Sequence, residues 1–268
     1  MHSYEECLGP PLMAALCALK DLEQFTHRAT TTVRTEFGLH SLLRLAAAWP
    51  KLRVLHIAGD LETSHDVASL PPVTCKLQRV TLEACTANLE DLALLFAASS
   101  KSLKTLEMWT MAPGSLDAPI ACVLPGLEVL RLGGCGHPSL AFIRDKLGAA
   151  PRLRTLQLGG GPDRTGRVRA ALTTAMSDPA LFCWLRQLEY PALALPEVEK
   201  AKPGKGKGKE KENALGMDGV NVGEAALLAV AAKRKIRASR AVDLEYTGEG
   251  GLRHSAEKWH KRAAAKKR

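Results

Sequence analysis

Apolar residues recur in five segments of the chain with one spacing, L-x-x-L-x-L. The segments are KLRVLHI (51–57), KLQRVTL (76–82), SLKTLEM (102–108), GLEVLRL (126–132) and RLRTLQL (152–158). Their first apolar positions lie 24 to 26 residues apart. Because apolar and other residues alternate at the fourth to sixth positions, each segment predicts a short strand with one buried face. A repeat of about 25 residues indicates units that stack on one another to bury a shared core.

The chain between these segments predicts both helices and irregular connections. Apolar residues at helical spacing predict helices over 39–46, 89–96, 140–147 and 168–176. Ser139 is placed to cap the third of these helices. Residues 59–75 and 109–125 lack this spacing and predict short or irregular connections. Weaker forms of the strand pattern at 22–25 and 185–190 predict degenerate terminal repeats.

Two of the repeats extend the motif to L-x-x-L-x-L-x-x-C, with Cys85 and Cys135 at the last position. This pattern resembles the leucine-rich repeat family, in the cysteine-containing subtype similar to F-box leucine-rich-repeat and ribonuclease-inhibitor-like proteins of fungal type. Asp60, Met111 and Gly161 stand at the cysteine position of the other repeats. The resemblance implies an α/β solenoid with short parallel strands on its concave face and helices or turns on its convex face. It also implies a protein-binding scaffold.

The same pattern divides the chain into four parts. We expect an N-terminal helical cap over 1–21, a solenoid over 22–195, a flexible Lys/Gly-rich linker over 196–223 and a basic helical tail over 224–268. The tail prediction includes one helix over 224–240 and a second over 255–268. The residues before Leu22 are too few to hold an F-box, so attachment to a ubiquitin ligase is not expected.

The net charge of +9 is concentrated at the C-terminal end of the chain. Residues 200–268 hold 18 Lys and Arg and 8 Asp and Glu, a net charge of +10. Residues 1–199 hold 19 basic and 20 acidic residues, a net charge of −1. Any attraction to an anionic partner is therefore expected of the C-terminal region alone.

The third, fifth and seventh positions of each repeat are expected to face outward on the concave face. The candidate partner-binding residues at these positions are His56, Arg79, Glu83, Glu107, Trp109 and Arg131. Trp109 lies among charged neighbours and has the character of an interface anchor. The alternative is that the irregular stretch after Trp109 folds back and buries it. The other interpretation of the charged residues around Trp109 is that they form an ordinary solvated surface.

Basic clusters in the tail give a second candidate function. They consist of Lys233, Arg234, Lys235, Arg237, Lys261, Arg262, Lys266, Lys267 and Arg268. Such clusters serve as nuclear-import signals or as nonspecific contacts to nucleic acid. Contact with acidic lipids and simple solvation remain open as alternatives. A single tryptophan, Trp259, offers too little stacking surface for sequence-specific nucleic-acid binding.

No set of residues in the sequence predicts an enzyme, a metal site or a cofactor. Gly161 and Gly166 have the spacing of a phosphate-binding loop, but Arg167 and Val168 stand where that loop needs Lys and Ser or Thr. The seven cysteines are scattered and predict reduced, mostly buried thiols rather than a disulfide framework. No apolar run approaches the roughly 18 residues of a membrane span. We expect an intracellular protein, with the nucleus favoured by the basic clusters.

Overall fold

The structure is a computed structural model that describes residues 9–28, 38–59, 61, 70–83, 91–109, 116–134, 138–159, 167–191 and 215–240. Its centre is one sheet of eight strands, all parallel, which lie side by side in chain order. The strands are β1 (Gln24–Arg28), β2 (Val54–Ala58), β3 (Arg79–Glu83), β4 (Thr105–Trp109), β5 (Val129–Gly133), β6 (Thr155–Leu158), β7 (Gln187–Tyr190) and β8 (Arg237–Arg240). Consecutive parallel strands in this order are compatible with the expected solenoid.

Within the described residues, seven helices lie before and between the strands. They are α1 (Pro10–Cys17), α2 (Leu39–Ala48), α3 (Leu92–Phe96), α4 (Asp117–Val123), α5 (Leu140–Phe142), α6 (Arg167–Ser177) and α7 (Leu215–Lys233). A 3₁₀ turn, Ala97–Ser99, continues α3, and a π-helical turn, Ile143–Leu147, continues α5. The side chains of the helices and the inner sheet face form one hydrophobic core.

The strand register confirms the predicted alignment of the repeats. Leu55 lies beside Val80, Val80 beside Leu106, Leu106 beside Leu130 and Leu130 beside Leu156. In β2 to β7 the second and fourth residues are buried in the core, as the alternation of the motif requires. The expected terminal repeats also form strands, as β1 and β7.

Between the strands β1 to β7, the helix predictions are confirmed at several places and wrong at one. Ser139 caps α5, where its Oγ accepts a hydrogen bond from the backbone N–H of Phe142 at 3.1 Å. The expectation of an irregular connection over 109–125 is wrong, because α4 forms there. Pro119 is the third residue of α4, where the backbone N–H has no partner inside the helix, so the proline costs no helical hydrogen bond.

At the N-terminal end of the fold, α1 packs on α2. Trp49, at the end of α2, is fully buried and donates its indole N–H to the carbonyl of Leu16 at 2.8 Å. Its ring centroid lies 4.9 Å from that of Phe25 in β1. Met13 of α1 is part of the core. α1 lies within the stretch 1–21 that was expected to form an N-terminal helical cap, and residues 1–8 of that stretch lie outside the described residues.

The C-terminal region differs from the prediction of a linker followed by a basic helix. Residues 215–223, expected in the linker, belong to α7, and residues 237–240, expected in a helix, form β8 beside β7. Lys235 adopts a left-handed φ of 58°, and the N–H of Ile236 reaches the carbonyl of Ala231 at 2.9 Å. These features form a Schellman-type helix end with Lys235 at the position that glycine usually fills. The predicted helix over 255–268 lies outside the described residues.

A buried polar network attaches α7 to the rest of the fold. Glu224 of α7 accepts a hydrogen bond from the hydroxyl of Tyr190 in β7 at 2.6 Å, and its other carboxylate oxygen lies 3.6 Å from Nη1 of Arg169 in α6. All three side chains are buried. Arg234 donates to the carbonyls of Met176 (3.0 Å), Asp178 (3.3 Å) and Leu181 (2.6 Å) after α6. The last helix and strand are therefore an integral repeat rather than a loose tail.

Replacement of one buried leucine tests the shared core. Leu106→Ala removes a fully buried side chain from the centre of the sheet and should lower the free energy of unfolding by about 2–5 kcal/mol. Leu94→Ala is the matched control, because Leu94 on α3 is 43% exposed and its loss should cost roughly 0.5 kcal/mol or less. Urea unfolding followed by circular dichroism measures both. Equal losses in the two variants would contradict the arrangement.

Removal of the Glu224 carboxylate tests the docking of α7. Glu224→Ala leaves Arg169 without this carboxylate in a buried place, so the free energy of unfolding should fall by about 3 kcal/mol. Tyr190→Phe removes only the hydroxyl and should cost about 1 kcal/mol. Hydrogen exchange should show the loss of protection first in α7. A smaller effect of Glu224→Ala than of Tyr190→Phe would argue against the network.

Candidate functional site

The first, third and fifth residues of the strands form what we call the outer face of the sheet, opposite the core. Its middle row, in the order of the strands, is Thr26, His56, Thr81, Glu107, Arg131, Gln157, Glu189 and Ser239. Its last row, at the carboxyl ends of β1 to β5, is Arg28, Ala58, Glu83, Trp109 and Gly133. All six residues predicted for partner binding lie on this face.

The ring of Trp109 lies over its neighbour in the register, Gly133. A Cβ at Gly133 would overlap Cε3 and Cζ3 of the indole, so glycine alone leaves room for the ring there. Trp109 is half-buried. Its exposure therefore lies between the two expectations, an exposed anchor and a completely buried side chain. The strand thus presents an aromatic surface that is already held in place.

The residue beside Trp109 on the other side, Glu83, interacts with a histidine. His56 Nε2 lies 3.2 Å from Glu83 Oε1. Hydrogen bonding from His56 lowers the pKa of Glu83, with smaller contributions from the charges of His56 and Arg28, while burial opposes the shift. The carboxylate beside the indole is therefore held in its charged form.

A second pair of charged side chains near Trp109 bridges two neighbouring strands. Arg131 of β5 donates from Nη1 to Glu107 Oε1 of β4, and the two residues are direct neighbours in the register. Both side chains are largely covered. Of the six predicted residues, Arg79 stands apart from this group, because it is exposed in the first row beside Val54 and Thr105.

Among the outer-face residues that were not predicted as site residues, three matter for the geometry of the site. Gly133 supports the indole, and Gln157 and Glu189 are neighbours in the middle row of β6 and β7. Glu189 was missed because its repeat is degenerate. The spacing of Leu185, Leu188 and Tyr190 nevertheless places Glu189 at the fifth, outward position of that repeat.

The basic cluster at 233–237 is built into the fold. Lys233 ends α7, Arg234 binds backbone carbonyls and Lys235 forms the turn, while Arg237 begins β8 beside Gln187. Lys233, Lys235 and Arg237 remain exposed. The cluster is thus not the basic half of a free helix. The other predicted tail residues, Lys261, Arg262, Lys266, Lys267 and Arg268, lie outside the described residues.

The cysteines within the described part of the chain are all free thiols. Cys75 is buried as expected, whereas Cys17 and Cys122 are half-buried and Cys183 is exposed. Burial raises the pKa of Cys75 to about 11, which keeps this thiol protonated. Cys85 and Cys135 lie outside the described residues.

Metal sites and membrane spans are two further features that the described residues can be judged on. No group of three or more His, Cys, Asp or Glu side chains there is arranged to hold a metal ion. No helix in the same part of the chain is long and apolar enough to cross a membrane.

Comparisons of the chain with protein-family models, with curated proteins and with solved structures find no match. The function of the outer face has to follow from its own geometry.

The contact between His56 and Glu83 predicts a pH dependence of stability. Because folding lowers the pKa of Glu83, its contribution is present above the ordinary glutamate pKa of about 4.3 and is lost as the pH falls through the lower folded value. Glu83→Gln should therefore reduce stability at pH 6 and have a smaller effect near pH 3.5. Urea unfolding at both pH values measures the difference. His56→Ala should weaken this dependence, and an effect of Glu83→Gln that is the same at both pH values would contradict it.

Proposed function

We propose that this chain is a non-catalytic scaffold that binds a partner protein through the outer face of its sheet. The fold is proposed to be a leucine-rich-repeat solenoid of the cysteine-containing type, with the outer face on its concave side. The eight parallel strands in chain order and the repeated motif support this assignment. Repeat proteins of this shape offer an extended surface, which suits a partner protein better than a small molecule.

The observation that carries the proposal is the position of Trp109. Its indole is half-buried on a strand in the interior of the sheet, over Gly133 and between Glu83 and Glu107. Tryptophan is enriched among the residues that dominate binding energy, especially near the centre of an interface. Because the ring is already held against β5, little conformational entropy is lost when a partner packs on it.

The ion pairs around Trp109 supply the polar part of this surface. Glu107 and Arg131 bind each other, and His56 contacts Glu83. Charges that are paired before binding cost less to cover than free charges, and they disfavour partners with the wrong pattern of charge. The surface therefore combines an apolar anchor with a fixed polar surround, as protein interfaces do.

We further propose an intracellular location, with the nucleus favoured by the basic residues of the C-terminal region. The exposed residues Lys233, Lys235 and Arg237 support an import signal only in combination with the basic residues after 260.

Replacement of Trp109 tests the proposed face. Trp109→Ala should weaken capture of a specific partner by roughly 30-fold or more, the effect expected for a residue worth about 2 kcal/mol. Affinity purification of tagged full-length chains from cells, with quantitative mass spectrometry and a binding titration of each captured protein, measures this loss.

Trp184→Ala is the matched control for this experiment. Trp184 is 54% exposed in the connection between α6 and β7, away from the outer face. This variant should keep every partner. Equal recovery of all partners by the Trp109 and Trp184 variants would reject the outer face as the binding surface.

A further inference from the structure

Two polar side chains are buried next to each other on the outer face of β6 and β7. Gln157 and Glu189 are direct neighbours in the register, and they are only 5% and 7% exposed. On the other side, Gln157 lies beside Arg131, whose Nη1 donates to Glu107. Outer-face residues of β2 to β4, such as His56 and Glu107, are more exposed.

The hydrogen-bonding capacity of this pair is not met within the described part of the chain. Gln157 Oε1 is buried and accepts no hydrogen bond. Glu189 Oε1 accepts a hydrogen bond from Gln187 Nε2 at 2.8 Å, and no cation within the described residues pairs with its carboxylate. A buried amide oxygen without a donor and a buried carboxylate without a cation both destabilise a folded chain. A ligand that brings donors and positive charge would relieve both at once.

Gln157 and Glu189 are direct neighbours on adjacent strands, so one guanidinium group is large enough to reach both side chains. Residues directly opposite each other on neighbouring strands lie about 4.8 Å apart. The planar fork of an arginine can direct separate N–H groups to two such acceptors, whereas the ammonium of lysine acts as a compact point charge. Arginine is also enriched at protein interfaces, and lysine is depleted there.

We propose that Gln157 and Glu189 form a binding site for an arginine side chain of the partner protein. Because Gln157 Oε1 is covered in the free chain, neighbouring side chains of this face turn aside when the guanidinium enters, and the guanidinium then donates to Gln157 Oε1 and to the Glu189 carboxylate. This inference rests on the proposed function, since it names the chemistry that the partner brings to the same face. The site lies two to three strands from Trp109, so the two contacts can be tested separately.

Binding of a blocked hexaarginine peptide to the full-length chain tests the site. Isothermal titration should show that Glu189→Gln weakens binding at least tenfold, because the charge is lost while the shape is kept. Gln157→Leu should weaken it several-fold. Hexacitrulline, which has the same shape without the charge, should bind to none of the chains. Asp145→Asn is the matched control, because it removes one exposed carboxylate, on the turn after α5, and should change the affinity less than twofold.

The stability of the free chain separates a binding role from a structural one. If Glu189 lacks a cation before the partner binds, Glu189→Gln should raise the melting temperature of the free chain while it lowers the affinity for the peptide. The new amide oxygen at position 189 can still accept the hydrogen bond from Gln187. A lower melting temperature, or an affinity loss no larger than that of Asp145→Asn, would overturn the proposal.

The basic residues of the chain itself are the competing source of a guanidinium or ammonium group. A full-length variant with Lys261, Arg262, Lys266, Lys267 and Arg268 replaced by Gln distinguishes the two sources. Unchanged hexaarginine affinity supports a site that awaits a partner. A tenfold gain in affinity would mean that the C-terminal segment fills the site, and it would overturn the partner arginine. Neither result depends on Trp109. The capture experiment with Trp109→Ala therefore tests the proposed function separately from the arginine site.

Discussion

The structure depends on one constraint, which is that each short strand must bury one face and can do so only beside a like neighbour. Leu55, Leu106, Leu130 and Leu156 are each fully buried because the neighbouring strands and the helices on the same side enclose them. A single unit of about 25 residues could not enclose its own leucines. The parallel register then fixes the opposite face as well, because every residue between two buried positions must point outward. Residues that are 24 to 26 positions apart in the chain, such as Glu107 and Arg131, therefore become direct neighbours.

At the two ends of the sheet, the first and last strands have a neighbouring strand on one side only. At the N-terminal end, α1 packs on α2, and the buried Trp49 binds the carbonyl of Leu16 and contacts Phe25 of β1. At the C-terminal end, hydrogen bonds of Glu224 and Arg234 attach α7 to β7 and to the end of α6, in addition to the packing of Leu227 and Ala231 in the core. This attachment matters because a long Lys- and Gly-rich stretch separates α7 from β7 in the sequence.

The inner repeats could be predicted from sequence because the periodicity reports their burial directly. The spacing of leucines placed β2 to β6 in the correct register, and Ser139 marked the start of a helix. The last repeat could not be found this way, because β7 and β8 begin 50 residues apart instead of about 25, and Arg237–Arg240 contains only one apolar residue, Ala238. α4 was missed because residues 109–125 lack the regular helical spacing of apolar residues that marks the other helices. The support of Trp109 by Gly133 depends on the direction of the indole, which no spacing in the sequence specifies.

The outer face combines two different kinds of surface, and their order along the sheet matters for binding. Around Trp109 the charges are already paired, so this half offers an apolar contact with little cost for removing water from free charges. At β6 and β7 the acceptors of Gln157 and Glu189 have no cation of their own among the described residues, so this half favours only a partner that supplies donors at the right place. The surface around Trp109 supplies binding energy, and the surface at β6 and β7 supplies selectivity. Both act on one partner only if that partner contacts both surfaces. The strands from β4 to β7 cover about 14 Å at the usual strand spacing, a distance that a short stretch of extended chain bridges easily. A partner segment with an apolar residue and an arginine a few positions apart meets both requirements.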